Sequence, residues 1–349
     1  MKRDNMGNKR RIKVGRKIIG GDETFIIAEA GSNHRQDINI AYDLISAAKE
    51  SGADAVKFQS VNIGELYYDP STSIKKLHKL IDLKEEWHYK LKEFADKKDI
   101  IFFSSPTYIK AVDTLEKIGV LLYKLASAQV GTFPQIIELV ASLKKPAMLS
   151  TGLVTYKELE NAISIFYRAH NHNFVILHCN SIYPTPYIKV NLPMIQVYEN
   201  MFGNPAGFSD HTIGIHVAIA AVSMGAKVIE KHLTVDKKIL TPDSAISLNP
   251  QDFKMMVSCI REIEQSLRKS PRIEIDQEES KFKDDIIYRL ILDKDKKRGE
   301  TFSKDDFIFK RHHEGIDCRD LNMVVNCMQA RYDLKKRDIL SWDKLEGKN

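Results

Sequence analysis

The chain has 349 residues, 43% of them hydrophobic, and a formal net charge of +6. That length suits one large α/β domain with a small extra one, and the composition is too apolar for intrinsic disorder. No apolar stretch approaches the ~20 residues that cross a bilayer, and the amino terminus lacks a signal-peptide core, so a cytoplasmic protein is expected.

Many of the positive charges lie before Ile18. No aromatic or recognition-helix pattern accompanies them, so residues 1–24 are expected to form a solvated basic tail with a short hairpin over 13–21, and nucleic-acid binding is not expected. From Phe25 to Leu233, short apolar runs alternate with longer amphipathic stretches, the pattern of repeated βα units. Eight strands are predicted, at 25–30, 55–59, 100–105, 120–127, 146–151, 174–179, 206–211 and 228–233. Helical stretches separate them, at 40–50 and 83–97 for example, and one at 250–267 ends the series. Eight such units make a closed (β/α)₈ TIM barrel over 25–268 the leading architecture, with an open doubly wound sheet as the alternative.

Beyond it, 269–285 is charged, poor in large apolar residues and interrupted by Pro271, which predicts a linker. The tail at 286–349 has short strand candidates at 286–292, 307–311 and 323–325. A unit of some sixty residues is only marginally stable alone and is expected to dock on another surface. The four cysteines, Cys179, Cys259, Cys318 and Cys327, form no C-x-x-C pair, which argues against a structural zinc site or a disulfide framework.

In a parallel barrel the chemistry lies at the carboxyl ends of the strands. Those ends carry Glu29; Lys57 and Gln59; Ser104 and Ser105; Lys124 and Ser127; Ser150; Ser181 and Tyr183; Ser209 and His211; and Glu230 and His232. A lysine inside an apolar strand needs an anionic partner. For Lys57 and Lys124 that partner is either a phosphate, cradled with Ser127, Ser150 and Ser209, or a barrel carboxylate such as Glu29 or Glu230. His211 and His232 at neighbouring strand ends are candidate ligands of a divalent metal, against the plainer reading of hydrogen-bonded structural histidines. There is no G-x-G-x-x-G, Walker loop or G-x-S-x-G, so dinucleotide, ATP and α/β-hydrolase chemistry lose support. A Schiff-base aldolase using Lys57 or Lys124 stays open.

The chain resembles the sialic acid synthase family. The resemblance is carried by Ile-Ala-Glu-Ala-Gly-Ser-Asn-His (27–34), Gly-Ala-Asp-Ala-Val-Lys-Phe-Gln (52–59), Tyr-Lys-Leu-Ala-Ser (123–127), Leu-Ser-Thr-Gly (149–152) and Leu-His-Cys-Asn-Ser-Ile-Tyr-Pro-Thr-Pro (177–186). Gly-Phe-Ser-Asp-His-Thr, Ile-Glu-Lys-His-Leu-Thr and Pro-Asp-Ser-Ala-Ile-Ser-Leu (242–248) extend it, and the segment 293–307 resembles the antifreeze-like SAF domain of that family.

The resemblance implies condensation of phosphoenolpyruvate with the open-chain aldehyde of an N-acetylated amino sugar. Lys57, Lys124, Ser127, Ser150, Ser181 and Ser209 would hold phosphoenolpyruvate, Tyr183 and Asp243 would face the sugar, and Glu29 and Glu230 would orient groups or handle a proton. It further implies Mn²⁺, or Mg²⁺ or Co²⁺, on His211 and His232. It also implies a domain-swapped homodimer in which Arg311 of the SAF domain reaches the sugar of the other chain. Arg35-Gln36, Gln129, Ser181, Ser244 and His312-His313 depart from the family's usual residues, mostly on the sugar side. Those departures suggest an acceptor other than N-acetylmannosamine, such as a diamino-trideoxy sugar leading to a legionaminate-like acid. A degenerate barrel that only binds sugar is the non-enzymatic alternative.

Overall fold

The structure is a computed structural model that describes residues 10–238, 240–267 and 272–348. The first nine residues of the expected basic tail lie outside that range. The chain divides into two units, Met1–Arg268 and Lys269–Asn349.

The first unit opens with an antiparallel hairpin, β1 (Ile12–Val14) and β2 (Lys17–Ile19). Eight parallel strands follow: β3 (Phe25–Glu29), β4 (Ala55–Ser60), β5 (Ile101–Pro106), β6 (Tyr123–Leu125), β7 (Ala147–Ser150), β8 (Phe174–Cys179), β9 (Ala206–Asp210) and β10 (Val228–His232). Their order is β5-β4-β3-β10-β9-β8-β7-β6, and β5 lies beside β6, so the sheet curls into a TIM barrel. Nearly every residue of these strands is buried, as expected of parallel strands covered on both faces. β6 is shorter than the 120–127 predicted. Its run breaks at Ala126, and Ser127 begins a short helix, Ser127–Thr132.

The helices form the outer layer. α1 (Ile38–Glu50) starts where the Asp37 carboxylate accepts the Asn39 amide, and it buries Ala41, Leu44, Ile45 and Ala48. After β4 the chain makes an excursion through α2 (Ile63–Leu66) and α3 (Thr72–Ile81) before α4 (Glu85–Lys97) returns to the wall with Trp87 and Leu91 buried. The Asn249-capped helix Pro250–Ser266 completes the ring.

The period of two along each strand sorts the barrel interior into layers. Phe25, Ile27, Ala55, Phe103, Leu122, Met148, Val175, Leu177 and Val228 point inward at the base and pack with Ile12, Val14 and Ile19 of the hairpin in one apolar cluster. The next inward position along each strand carries Glu29, Lys57, Ser105, Lys124, Ser150, Cys179, Ser209 or Glu230. The hairpin closes the base, and the chemistry lies above it.

The second unit opens with a helix, Gln277–Ile286, inside the stretch predicted as a linker. Asp276 caps it and Glu278 and Glu279 occupy its first turn, signals that a reading of apolar periodicity passes over. Two antiparallel pairs follow, β11 (Tyr288–Leu292) with β12 (Phe307–Arg311), and β13 (Met328–Ala330) with β14 (Leu345–Gly347). They enclose Leu290, Leu292, Phe302, Val324 and Leu340. The strand predicted at 323–325 is instead part of a helix, Leu321–Cys327, whose Val324 packs into this core. Three apolar residues in a row do not distinguish strand from helix.

Candidate active site

Four charged side chains occupy the layer above the apolar base, all at most 4% exposed. Glu29 and Lys57 are register partners on β3 and β4, and their Oε2 and Nζ atoms are 2.8 Å apart. Lys124, on β6, reaches Glu230 on β10 with its Nζ 2.7 and 2.9 Å from the two carboxylate oxygens. Lys57 also approaches Glu230, at 3.5 Å, so the four groups form one chain of alternating charge, Glu29, Lys57, Glu230, Lys124. The Ser209 hydroxyl donates to Glu230 at 2.8 Å, the Gln59 amide to Glu29 at 2.8 Å, and the Lys57 ammonium to Ser105 at 3.3 Å. In this structure the lysines therefore have carboxylate partners, the plainer of the two sequence readings.

The protonation of the chain follows from its order. Burial pushes Glu230 toward its neutral form, but the Lys124 and Lys57 ammoniums overcome it and hold the carboxyl below the usual range. Burial lowers Lys57 too, yet Glu230 and Glu29 on its two sides leave it raised. Burial dominates for Lys124, which has one carboxylate partner and the Lys57 charge nearby, and its pKa is lowered.

Next to this chain, Ser127, Cys179 and Ser181 gather around Gly152. The Gly152 amide donates to the Ser127 hydroxyl at 2.9 Å, and a Cβ built on Gly152 would lie 2.3 Å from Ser181 Oγ and 3.0 Å from Cys179 Sγ. Ser150 is buried on the inner face of β7. Hydroxyls and one backbone turn thus line the side of the mouth next to the lysines.

The histidines project above the charged layer at the ends of adjacent strands. Their ring centroids are 5.5 Å apart, and Tyr183 stacks on His211 at 4.2 Å. The Nδ1–H of His211 donates to the Asn180 carbonyl at 2.8 Å, which leaves Nε2 with its lone pair. Burial foremost, with His232 second, holds the His211 pKa down to about 3, so the ring is neutral at physiological pH. His232 Nδ1 is buried without a hydrogen-bond partner, and Asp243 Oδ2 is 3.8 Å away. A neutral ring with a free lone pair and an orphaned buried nitrogen fit a pair of metal ligands. Among the described residues no group of three His, Cys, Asp or Glu gathers, so the remaining positions would fall to water and substrate oxygens.

Asp243 is held from below: the amide and hydroxyl of Ser32 each donate to its Oδ2 at 2.7 Å. Burial works against its ionisation, but the neighbouring His232 ring and the Ser32 bonds keep its pKa lowered. Asn33 pins the same loop through Leu233 and Ser247, at 2.8 and 2.7 Å. Ser32, Cys179 and Gly152 are not among the candidate site residues read from the sequence, although each lies within a string that carries the resemblance. Gly31 has φ +48°, and a Cβ there would lie 2.4 Å from Asp243 Oδ2 and 3.1 Å from His232 Nδ1. Gly31→Ala is accordingly expected to cost about 1–3 kcal/mol in denaturant unfolding. Arg311 lies in the second unit, at the end of β12, with its guanidinium 5.4 Å from the Tyr288 ring centre.

Two buried histidines give the fold an acid limit. His34 is held down to about 4, chiefly by burial against the opposing pull of Asp243 and Asp82, and His211 to about 3. Unfolded histidine titrates near 6.5, so below that pH the unfolded chain binds protons that the native one refuses. Stability of the metal-free protein should be level above pH 7 and fall below about 6.5. At pH 5 the loss is about 2 kcal/mol for each of the two rings. Urea titrations at pH 7.5 and 5 measure it; equal midpoints would mean that the rings accept protons in place.

Comparison with known proteins places this geometry. The NeuB family model matches residues 44–271. The chain belongs to the NeuB family. It is 40% identical over 342 residues to an uncharacterized protein of Methanocaldococcus jannaschii, covering 97% of this chain and 99% of that protein. It is 37% identical over 314 residues to the N,N'-diacetyllegionaminic acid synthase of Campylobacter jejuni, covering 84% of this chain and 92% of the relative. Among solved structures it is similar to the N-acetylneuraminic acid synthetase of Leptospira borgpetersenii in complex with citrate, with a TM-score of 0.73 and 34% identity over 78% of this chain and 95% of that one. A nonulosonic acid synthase of the NeuB family is thus the class to which the barrel belongs. None of its described helices is long and apolar enough to cross a membrane.

Proposed function

We propose that this NeuB-family barrel condenses phosphoenolpyruvate with the open-chain aldehyde of an N-acetylated amino sugar, giving a nonulosonic acid and phosphate. The observation that carries the proposal is the buried chain Glu29, Lys57, Glu230, Lys124 below the paired imidazoles of His211 and His232. The two ammoniums are preorganised by carboxylates in a water-poor layer, and an anion entering from the mouth meets them without reorganisation. Ser127, Ser150 and Ser181 supply hydroxyl donors to its phosphate and carboxylate, and Ser209 would join them by turning its hydroxyl away from Glu230. Tyr183 and Asp243 take the sugar at the level of the imidazoles.

In the reaction the methylene carbon of phosphoenolpyruvate bonds to the aldehyde carbon as the carbonyl π bond breaks, and the aldehyde oxygen takes up a proton to become a hydroxyl. Water adds to the cation left on the enol carbon, and the bond from that carbon to the phosphate oxygen breaks. A carboxylate must accept the proton that the water gives up. We assign this to Glu29, because Glu230 is held ionised by two lysines and is the poorer base. Glu230 then serves as the fixed counter-charge that orients Lys57 and Lys124. His211 and His232 would hold a divalent ion, manganese by preference and magnesium or cobalt as alternatives, which when bound polarises the aldehyde oxygen as a Lewis acid. A homodimer in which each chain lends Arg311 to the acceptor of the other completes the proposal.

The decisive experiment is release of inorganic phosphate from phosphoenolpyruvate across a panel of amino sugars with manganese. Turnover with at least one sugar is expected; no turnover with any overturns the proposal. The metal assignment has its own readout, titration calorimetry with Mn²⁺. His211→Ala and His232→Ala should each lower the affinity by at least about tenfold with the fold retained, and unchanged affinity in both refutes it. The lowered pKa of Lys124 also suits a Schiff-base aldolase, for which borohydride would trap a substrate adduct on that lysine.

A further inference from the structure

At the mouth of the barrel, beside Asp243, a cavity of about 120 Å³ is lined by the apolar Val61, Leu77, Ile81 and Pro242 together with Gly31, Ser32, Gln59 and Asp243. Half of its apolar lining, Leu77 and Ile81, comes from α3. In that helix Ile74, Leu77 and Ile81 recur at a spacing of three and four, the stripe by which a helix ordinarily packs on a core. Yet the only residue α3 buries is His78, and Leu77 is 41% exposed. An apolar stripe has been turned toward the site.

The excursion that carries α3 is fixed at both ends. The Leu83 amide donates to the Val61 carbonyl at 2.9 Å, the Asp82 carboxylate accepts the Ile63 amide at 3.1 Å, and His78 Nδ1 bonds Asp82 at 2.5 Å. A further tie comes from the barrel: the Gln36 side-chain amide donates to the His78 carbonyl at 3.2 Å. Arg35 and Gln36 both adopt left-handed backbone, with φ of 47° and 55°, a conformation that glycine or asparagine takes at less cost. The strain is retained at the position whose side chain holds α3 in place.

We infer that this cavity seats an apolar methyl group of the acceptor sugar, with Leu77 and Ile81 as specificity-determining contacts and Gln36 as the positioning residue. The inference rests on the synthase reading and names the substrate class within it. A hydroxyl placed against Leu77, Ile81 and Val61 gives up its water without a partner, whereas a methyl gains from the same surface. The methyl has two sources in an amino sugar, a deoxy terminus or an N-acetyl group.

Two matched acceptor pairs separate them: N-acetylmannosamine against its 6-deoxy analogue, and an N-acetyl sugar against its N-formyl counterpart. Wild-type kcat/KM should favour the methyl-bearing member of one pair by roughly tenfold or more, and the pair that responds identifies the source. Leu77→Ser should bring that ratio toward one through KM of the acceptor, with KM for phosphoenolpyruvate unchanged. Gln36→Gly should shift the ratio the same way, and Leu77→Met, which keeps the apolar wall, should preserve it. Thermal melts of each variant establish that it is folded. Equal efficiency within both pairs, or a folded Leu77→Ser with the wild-type ratio, overturns the seat and leaves the synthase reading intact. Absence of phosphate release with every acceptor removes the synthase reading, and the seat with it.

Discussion

Glu230→Gln is expected to lower kcat by about two to three orders of magnitude and to raise KM for phosphoenolpyruvate. The glutamine keeps the volume of the side chain and removes the charge that stands between Lys57 and Lys124. Lys57 would then keep Glu29, while Lys124, equally inaccessible to solvent, would lose its one carboxylate partner. Part of the cost appears as stability, about 3–5 kcal/mol, because breaking a buried pair strands the remaining charge. The pH dependence gives an independent readout. Since the folded pKa of Glu230 is depressed, its contribution is fully present above the unfolded carboxyl value of about 4.3 and is lost only as pH falls through the lower folded value. The wild-type protein should therefore show an acid-limb loss of stability that Glu230→Gln lacks. A variant with full stability and wild-type turnover would remove Glu230 from the site.

The second large effect is expected behind the barrel wall. Lys231 and Asp210 are register partners on β10 and β9, wholly buried on the outer face of the sheet, with Nζ and Oδ2 2.8 Å apart. Lys231 also donates to the Thr212 carbonyl at 2.5 Å, and Asp210 accepts the Thr212 amide at 2.8 Å. The pair ties together the two strands that end in His211 and His232. Lys231→Met should cost about 3–5 kcal/mol in denaturant unfolding, because it leaves the Asp210 carboxylate buried and unpaired. Adding Asp210→Leu should recover part of that loss. A single-variant cost below about 1 kcal/mol would show that Asp210 finds other compensation.

The barrel was legible because parallel strands are short, apolar and evenly spaced, and because polar residues recur where those strands stop. Adjacency of the histidines followed directly, since strands seven and eight of the series are sheet neighbours. Glu29 and Glu230 were already candidate partners of the lysines, but which lysine meets which carboxylate did not follow. Lys124 meets Glu230 across the interior, from a strand that is not its neighbour, and only the closed geometry brings β6 opposite β10. The same holds for Gln36 and α3: the sequence marks Arg35-Gln36 as unusual, while the link to His78 exists only once the excursion after β4 has folded back. Ser127 was placed on a strand that in fact ends at Leu125, because apolar content extends beyond the ladder that hydrogen bonding defines. In the tail, the helix Gln277–Ile286 carries its signal in its cap and first-turn charges, not in periodicity.

The hairpin of β1 and β2 has a kinetic corollary. With Ile12, Val14 and Ile19 packed into the base, the described residues close the interior at that end. A molecule lodged against the lysines lies beneath whatever occupies the level of the histidines. Whichever reactant goes deepest must enter first, and the fragment left there departs only after the upper guest has cleared the threshold. Sequence of arrival is thus written into the plumbing of the barrel, independently of how tightly either guest is held.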